Sequence, residues 1–413
     1  MAFRLCRQCR ASSYIQYHRQ LQQHQQKQQE LDHPRICIQP LYSARDCKER
    51  EAVLVSIKKA LTENGYFVVT GIPGLGAEYI ASIYRLAAQL HGLPTKVKKN
   101  FAKAEGRGTY TGQDVGVAEE AYEVGTVATV RSWDYMRNQD TKWPILSQLN
   151  APLPSISSSR VASRDHNGDP AASLAALYDR QDALARVLMQ AFAESFHLPS
   201  NLFLDMFKDG DLGTIRLLHY PEARDDAEVN ARAMENAKGA MERQVGISAH
   251  TDFEFFTLMH QQQPGLQLLV QHSEGEDCGQ SQPKWRWVDA PTAMDDHGAM
   301  LVIAGDIFER FTNGVVRALP HRVLCTPHAR NSIIRFNAVH PDTVVEPLDV
   351  FIGPERPRAY GRTTMRKHME TTMSNLAAGK GAWSSSESMD QNDPGRSLTA
   401  TYNYEQEREE EGV

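Results

Sequence analysis

The chain has 413 residues, of which 41% are hydrophobic and 23% are charged, a composition typical of a globular protein with one large domain or two ordinary ones. The formal net charge of −6 argues against a nucleic-acid partner, and the lack of any run of about 18 apolar residues argues against a membrane-spanning helix. Six cysteines are too few for a disulfide framework in so long a chain, and they fit a reducing compartment.

Residues 1–35 form a leader with an unusual composition. The first 29 residues contain no acidic side chain, whereas five basic residues are spread along them: Arg4, Arg7, Arg10, Arg19 and Lys27. An arginine-bearing, acid-poor leader is typical of a mitochondrial presequence. The glutamine-rich stretch 20–29 is equally typical of a disordered tail without a targeting role. Both interpretations stay open, and we expect a cytoplasmic or mitochondrial protein.

Residues 36–200 are predicted to form a mainly helical N-terminal domain. Apolar residues at helical spacing predict helices over 50–63, 80–90 and 173–196, of which the last is the longest. A short apolar run between glycines predicts a buried strand over 65–69. Residues 151–172 are rich in Ser, Pro, Asn and Gly, which predicts a flexible insertion.

Residues 201–373 are predicted to form a second, β-rich domain. Short apolar runs separated by turn residues predict antiparallel strands over 214–219, 255–259, 266–270, 299–304 and 332–339. A barrel or jelly roll is the expected closure for so many short strands. The charged stretch 222–244 interrupts them and is predicted to be a surface helix or a lid. Residues 374–413 are predicted to be a disordered tail.

The segment His250-Thr251-Asp252 is the first candidate for chemistry. Residues i and i+2 of a strand lie on one face, so His250 and Asp252 would present an imidazole and a carboxylate side by side. A His-x-Asp pair alone also occurs by chance in a chain with fifteen histidines, so a metal site needs a third ligand.

His321 is the candidate third ligand. It follows Asp252 after 68 intervening residues, which is room for several strands to come around a barrel. Two histidines and one carboxylate on one face leave three metal positions open, as in non-haem Fe(II) oxygenases. His297, His328 and His340 are rival candidates.

The segment Arg330-Asn331-Ser332 follows His321 and opens a strand-like run. By strand alternation Arg330 and Ser332 share a face, while Arg335 lies on the other. A guanidinium and a hydroxyl together suit the distal carboxylate of a dicarboxylic ligand. An isolated arginine is more typical of a surface salt bridge, but the position just after a candidate iron ligand favours the carboxylate site.

Taken together, these motifs resemble the isopenicillin N synthase-like branch of the Fe(II)/2-oxoglutarate-dependent dioxygenase superfamily. The matching motifs keep their order and spacing over roughly residues 212–350: HTD at 250–252, PGLQ at 264–267, WVDAP at 287–291, GD at 305–306, TNG at 312–314, HRV at 321–323, RNS at 330–332 and EPL at 346–348. The N-terminal half is similar to the family's helical cap. The resemblance implies an α+β fold with a double-stranded β-helix (jelly-roll) core behind an N-terminal helical cap.

The resemblance also implies roles for individual residues. His250, Asp252 and His321 would be the catalytic residues that ligate Fe(II). The C5 carboxylate of 2-oxoglutarate would be held by Arg330 and Ser332, and Tyr220 would reach the same co-substrate; a half-buried strand tyrosine is the competing interpretation of Tyr220. Leu218 stands where many plant members carry Asn, so a polar contact near the iron is expected to be missing.

The implied reaction consumes 2-oxoglutarate and O₂, releases succinate and CO₂, and hydroxylates a small organic molecule, with ascorbate as a candidate reductant. Desaturation and ring closure are variants. Three alternatives stay open: an oxidase of this fold that does not use 2-oxoglutarate, a zinc hydrolase with the same ligands, and a non-catalytic binding protein. The Arg330–Ser332 pair argues against the first two, and the complete ligand set against the third. The motifs identify neither the substrate nor the oligomeric state.

Overall fold

A computed structural model describes twelve stretches of the chain: 33–43, 47–103, 108–117, 130–137, 139–146, 169–207, 212–222, 245–272, 284–292, 298–324, 326 and 328–377. The predictions for the leader, for most of 151–172, for 223–244 and for the tail beyond 377 lie outside the described residues. Among the helices of these stretches, none combines the length and the apolar composition of a membrane span.

Six α-helices lie in the described residues: α1 (Lys48–Asn64), α2 (Ala77–His91), α3 (Thr95–Lys98), α4 (Pro170–Ser195), α5 (Asp306–Phe311) and α6 (Met365–Ala377). Short 3₁₀ turns cover Gln39–Tyr42, Lys99–Phe101, Gln113–Val115, Leu204–Met206 and Asp349–Phe351. The three predicted helices are confirmed as α1, α2 and α4. The longest, α4, begins where the Asp169 side chain accepts from the N–H of Ala171 at 2.9 Å, with Pro170 in its first turn.

The strands are β1 (Arg35–Cys37), β2 (Tyr66–Thr70), β3 (Tyr110–Thr111), β4 (Arg131–Met136), β5 (Thr214–Tyr220), β6 (Val245–His250), β7 (Phe256–Gln261), β8 (Leu266–His272), β9 (Lys284–Asp289), β10 (Met300–Ala304), β11 (His321–Leu324), β12 (Arg330–Asn337), β13 (Val344–Val345) and β14 (Thr363–Thr364). A major sheet has the order β1-β2-β10-β7-β12-β5-β4-β3, and a minor sheet has the order β6-β11-β8-β9. The pairs are antiparallel except β1 with β2. Two such sheets are the architecture of a jelly roll, as predicted.

The segment before residue 200 contributes strands as well as the expected helices. The predicted strand β2 pairs with β10, and β4 pairs with β5, so both belong to the major sheet. The sequence did not predict β1, β3 or β4, because the strands are two to six residues long and their pairing partners lie far along the chain. The proposed boundary between two domains near residue 200 stays a prediction.

An aromatic core lies beside the segment that follows Asp252. Phe255, Phe256, Phe192 and Phe308 are fully buried. The rings of Phe255 and Phe308 stack at 4.5 Å, and Phe192 of α4 meets Phe256 edge-on at 5.4 Å. These contacts attach the segment after Asp252 to the core.

Candidate metal centre and carboxylate pocket

The minor sheet places two histidines next to each other. His250, the last residue of β6, pairs directly with His321, the first residue of β11, and their ring centroids are 4.3 Å apart. Asp252 lies beyond the end of β6 rather than inside the predicted strand. Its Oδ1 is nevertheless 3.8 Å from Nε2 of His250 and 3.5 Å from Nε2 of His321. The three ligand atoms lie within 4.8 Å of one another, which suits a shared metal ion.

The rival histidines do not join this group. Among the described residues, His250, Asp252 and His321 are the one trio of His, Cys, Asp or Glu side chains that could hold a metal ion. His328 is exposed, and His340 lies beside Asp342. His297 lies outside the described residues.

Two hydrogen bonds orient the candidate ligands. Nδ1 of His321 donates to the carbonyl of Leu319 at 2.9 Å, which leaves the lone pair of Nε2 directed at the centre. The Thr257 hydroxyl donates to Oδ2 of Asp252 at 2.5 Å, which leaves Oδ1 for the metal. The Asp252 and His321 side chains are only 3% and 4% exposed, whereas that of His250 is 22% exposed, so the centre opens on the His250 side.

The backbone of the ligand loop rests on the start of α5. The N–H of Asp306 donates to the carbonyl of Asp252 at 2.8 Å. A Cβ on Gly305 would lie 2.3 Å from the carbonyl oxygen of Glu254, so this close approach requires glycine. Desolvation, and then the neighbouring Asp252 carboxylate, raise the pKa of Glu254 to about 8.

A buried arginine with unfilled hydrogen-bonding capacity lies on the inner face of β12. Register places Arg330 opposite Tyr220 and Ser332 opposite Leu218, so Arg330 and Ser332 share a face as predicted. The Arg330 guanidinium lies 4.8 Å from the Tyr220 ring centroid, and its Nη2 donates to Oε1 of Gln261 at 2.7 Å. Nε and Nη1 of Arg330 and the Ser332 hydroxyl are buried and have no hydrogen-bond partner in the described part of the chain. Such donors are costly to leave unpaired, and they fit a bound carboxylate.

Arg335 shows the contrast on the opposite face of β12. Its Nε donates to Asn337 at 2.8 Å, its Nη2 lies 3.2 Å from a carboxylate oxygen of Asp182 on α4, and it covers the Tyr178 ring. The predicted alternation is therefore confirmed. Arg335 is paired with Asp182 and Asn337 and leaves only Nη1 without a partner among the described residues, whereas Arg330 has no carboxylate partner there and leaves both Nε and Nη1 unpaired.

Sequence reasoning missed Thr257 and Gln261, which support the two halves of the site. Thr257 pairs with Phe336 and Gln261 with Ser332, so both lie on the face of β7 that carries the site. The signal available in the sequence was their spacing, because residues four apart in one strand share a face. Nothing local indicated which ligands they would reach.

Comparison with known proteins agrees with this geometry. The sequence profile of the 2OG-Fe(II) oxygenase superfamily matches residues 213–338, which contain all six predicted site residues. Residues 213–338 therefore belong to this superfamily. The chain is an enzyme of the 2-oxoglutarate-dependent dioxygenase class.

Individual relatives of this 2OG-Fe(II) oxygenase span most of its length. A 2-oxoglutarate-dependent dioxygenase of Monascus ruber, citB, is 27% identical over 76% of the chain and 87% of the relative. Gibberellin 3-beta-dioxygenase 1 of Oryza sativa is 26% identical over 77% of the chain and 73% of the relative. The solved structure of a full-length Neurospora crassa protein, in complex with alpha-KG and thymine, superposes with a TM-score of 0.60 at 20% identity, over 84% of the chain and 96% of that protein. That likeness confirms the jelly-roll fold.

Proposed function

We propose that the protein hydroxylates a small organic molecule, using Fe(II) held by His250, Asp252 and His321 and 2-oxoglutarate held by Arg330 and Ser332. The observation that carries the proposal is that two incomplete sites lie in one jelly roll. One is a trio of metal-ligand atoms within 4.8 Å. The other is the buried guanidinium of Arg330, whose Nε and Nη1 have no hydrogen-bond acceptor among the described residues.

The donor set suits Fe(II). Two imidazole nitrogens and one carboxylate oxygen form the ligand set of non-haem Fe(II) oxygenases and leave positions for co-substrate and O₂. The Thr257 hydrogen bond occupies Oδ2 of Asp252, which favours a monodentate carboxylate and preserves those positions. Bound Fe(II), with O₂ and 2-oxoglutarate, would supply the oxidising chemistry, and ascorbate would keep the iron reduced.

The pocket around Arg330 suits the distal carboxylate of 2-oxoglutarate. The guanidinium offers a charge-assisted pair of hydrogen bonds, and the Ser332 hydroxyl adds one more on the same face. Tyr220 packs against the guanidinium, and the absence of a side chain on Gly246 lets the Tyr220 ring approach, since a Cβ there would lie 3.1 Å from it. We therefore assign Tyr220 to the wall of the co-substrate pocket.

Different residues of the site would hold the co-substrate and exclude water. Arg330 and Ser332 would hold the distal carboxylate of the co-substrate, which would leave its 2-oxo acid end for the metal ion. Buried Asp252 and His321 exclude water from the inner side of the centre, and the more exposed His250 side is the direction from which substrate and O₂ would approach.

The alternatives are less well supported by the same geometry. An oxidase that uses no 2-oxoglutarate, or a zinc hydrolase, would leave the buried donors of Arg330 and Ser332 without a ligand. A non-catalytic protein would have no need for the oriented Nε2 of His321 or for the Thr257–Asp252 hydrogen bond.

Formation of succinate tests the cofactor part of the proposal. Purified protein supplied with Fe(II), ascorbate, O₂ and 2-oxoglutarate should form succinate, and the His250→Ala variant should not. Hydroxylation is tested with ¹⁸O₂ and a mixture of candidate small molecules. One labelled oxygen atom is expected in succinate and one in the product, whereas an unlabelled product with two hydrogen atoms fewer would indicate desaturation.

A further inference from the structure

Gln261 is a buried amide at the end of β7, next to the proposed co-substrate pocket. The residue is 3% exposed, and it lies opposite Ser332 in the register of β7 with β12. No motif in the sequence singled it out. Its hydrogen bonds connect Arg330 with the segment that follows strand β9.

The hydrogen bonds of Gln261 define which way its amide points. Nε2 donates to the carbonyl of Pro291 at 3.0 Å and is 3.4 Å from the carbonyl of Ala290. Both of these backbone groups only accept, so the amide nitrogen must face them. Oε1 therefore faces the other way, where it accepts from Nη2 of Arg330 at 2.7 Å.

We infer that Gln261 is a positioning residue that sets the orientation of Arg330 for the distal carboxylate of 2-oxoglutarate, an inference that rests on the proposed function. The Tyr220 ring restrains the guanidinium on one side, 4.8 Å from its centre. The bond to Gln261 restrains rotation of the guanidinium by occupying one N–H of Nη2. With Nη2 held by Gln261, the unpartnered Nη1 and the second N–H of Nη2 form the edge of the guanidinium that can donate to a carboxylate.

A neutral amide suits this role better than a carboxylate. A glutamate at this position would accept from Arg330 but would also neutralise its charge and repel the dicarboxylate. Its second oxygen would face the carbonyls of Ala290 and Pro291, where only a donor is satisfied. Glutamine orients the arginine and leaves its positive charge for the co-substrate.

Three variants separate positioning from general packing. Gln261→Leu removes the acceptor, Gln261→Glu adds a charge at nearly constant volume, and Gln263→Leu is the matched control. Gln263 accepts from the backbone N–H of Asn331 at 3.2 Å and so contacts the same strand without touching the Arg330 guanidinium. Binding is measured anaerobically by calorimetry on the Fe(II)-loaded proteins with 2-oxoglutarate, and by competition with 2-oxopentanoate, which has the same 2-oxo acid end but no distal carboxylate.

We expect the Kd for 2-oxoglutarate to rise about tenfold in Gln261→Leu and further in Gln261→Glu, because a hydrogen bond to a charged group is lost or replaced by repulsion. The affinity of both Gln261 variants for 2-oxopentanoate should be unchanged. The control variant Gln263→Leu should bind both ligands like the wild-type protein. In steady-state assays KM for 2-oxoglutarate should rise while kcat at saturation is kept.

The inference would be overturned if Gln261→Leu lost affinity for 2-oxoglutarate and 2-oxopentanoate equally. It would also be overturned if the affinity of this variant for 2-oxoglutarate were unchanged. If Gln261→Leu does not fold, the nearly isosteric Gln261→Glu decides, because wild-type affinity in that variant contradicts the proposed role. Failure of the wild-type protein itself to bind 2-oxoglutarate would instead refute the proposed function on which the inference rests.

Discussion

His250 and His321 are direct partners across strands β6 and β11, with ring centroids 4.3 Å apart. One backbone pairing thus fixes the relative position of two metal ligands that are distant in sequence. The third ligand, Asp252, depends on the turn after β6, and it is held by Thr257 and by the backbone of Asp306. The positions of His250 and His321 are therefore set by the sheet, whereas the position of Asp252 depends on its supporting contacts.

The support given by Thr257 should be measurable as metal affinity. Thr257→Val removes the hydrogen bond to Oδ2 of Asp252 while keeping the shape of the side chain. Loss of such a supporting contact weakens metal binding by about 10- to 100-fold, as competition with a chelator for Fe(II) would measure. The matched control is Thr111→Val, because Thr111 is a buried threonine of β3 whose hydroxyl has no partner among the described residues. Equal Fe(II) affinity in both variants would contradict the assigned role.

Substitutions of the two arginines of β12 should have different effects, one on 2-oxoglutarate binding and the other on the free energy of unfolding. Arg330→Leu should raise the Kd for 2-oxoglutarate by more than about 30-fold, because a buried charged pair would lose one partner. It should leave the free energy of unfolding nearly unchanged, because the removal of unpaired buried donors offsets the loss of the hydrogen bond to Gln261.

Arg335→Leu should show the reverse behaviour. It breaks the bond to Asp182 and is expected to lower the free energy of unfolding by about 3 kcal/mol, with the Kd for 2-oxoglutarate unchanged. Urea denaturation and calorimetry measure the two quantities for both variants. A loss of stability in Arg330→Leu with normal binding would show that Arg330 is structural.

Gly305 should be essential for the ligand loop. A methyl group at this position would lie 2.3 Å from the carbonyl oxygen of Glu254 and 3.0 Å from that of Asp252, so Gly305→Ala must displace the loop. We expect a loss of about 1–3 kcal/mol in the free energy of unfolding and weaker Fe(II) binding. Gly353→Ala is the control, since a Cβ there meets nothing within 4 Å. Indistinguishable Fe(II) affinity in the two variants would contradict the close-packing argument.

The stability of the protein should depend on pH through His91. Burial, and then the neighbouring His219, lower the pKa of His91 to about 3, against about 6.5 in an unfolded chain. Between these two pH values the unfolded chain binds one more proton at His91 than the folded chain does. The contribution of His91 to the free energy of unfolding is therefore complete above pH 6.5 and is lost toward pH 3, by about 1.4 kcal/mol per pH unit.

His91→Gln should reduce that pH dependence. Glutamine can still donate to the carbonyl of Leu217, which His91 meets at 3.0 Å, but it does not titrate. Urea denaturation of both proteins at pH 7, 6 and 5 measures the two slopes. An identical slope in the variant and the wild-type protein would show that His91 is not the responsible group.

Local periodicity accounts for what the sequence predicted. The helices α1, α2 and α4 carried apolar residues at helical spacing, and six strands carried short apolar runs. The alternation along β12 placed Arg330 and Ser332 on one face and Arg335 on the other. Residue types and separation suggested His250, Asp252 and His321 but left rival histidines open, and the Arg330–Ser332 segment and the family resemblance favoured His321. The structure brings the three residues together.

Contacts between distant residues account for what the sequence did not predict. Gln261 is 69 residues from Arg330 and 30 from Pro291, so its role depends on two pairings that no local pattern specifies. Asp252 lies outside the strand that was expected to position it, because β6 ends at His250. The short strands β1 and β3 had too few residues to show a period.

An anaerobic titration of the Fe(II)-loaded protein with 2-oxoglutarate, followed by visible absorption, tests the metal ligands and the co-substrate pocket together. We predict a metal-to-ligand charge-transfer band that saturates at one 2-oxoglutarate per chain and is absent in Asp252→Ala. Fe(II) binding without any such band would contradict the assignment of Arg330 and Ser332 to the co-substrate. A band that persists in Asp252→Ala would contradict the assigned metal ligands.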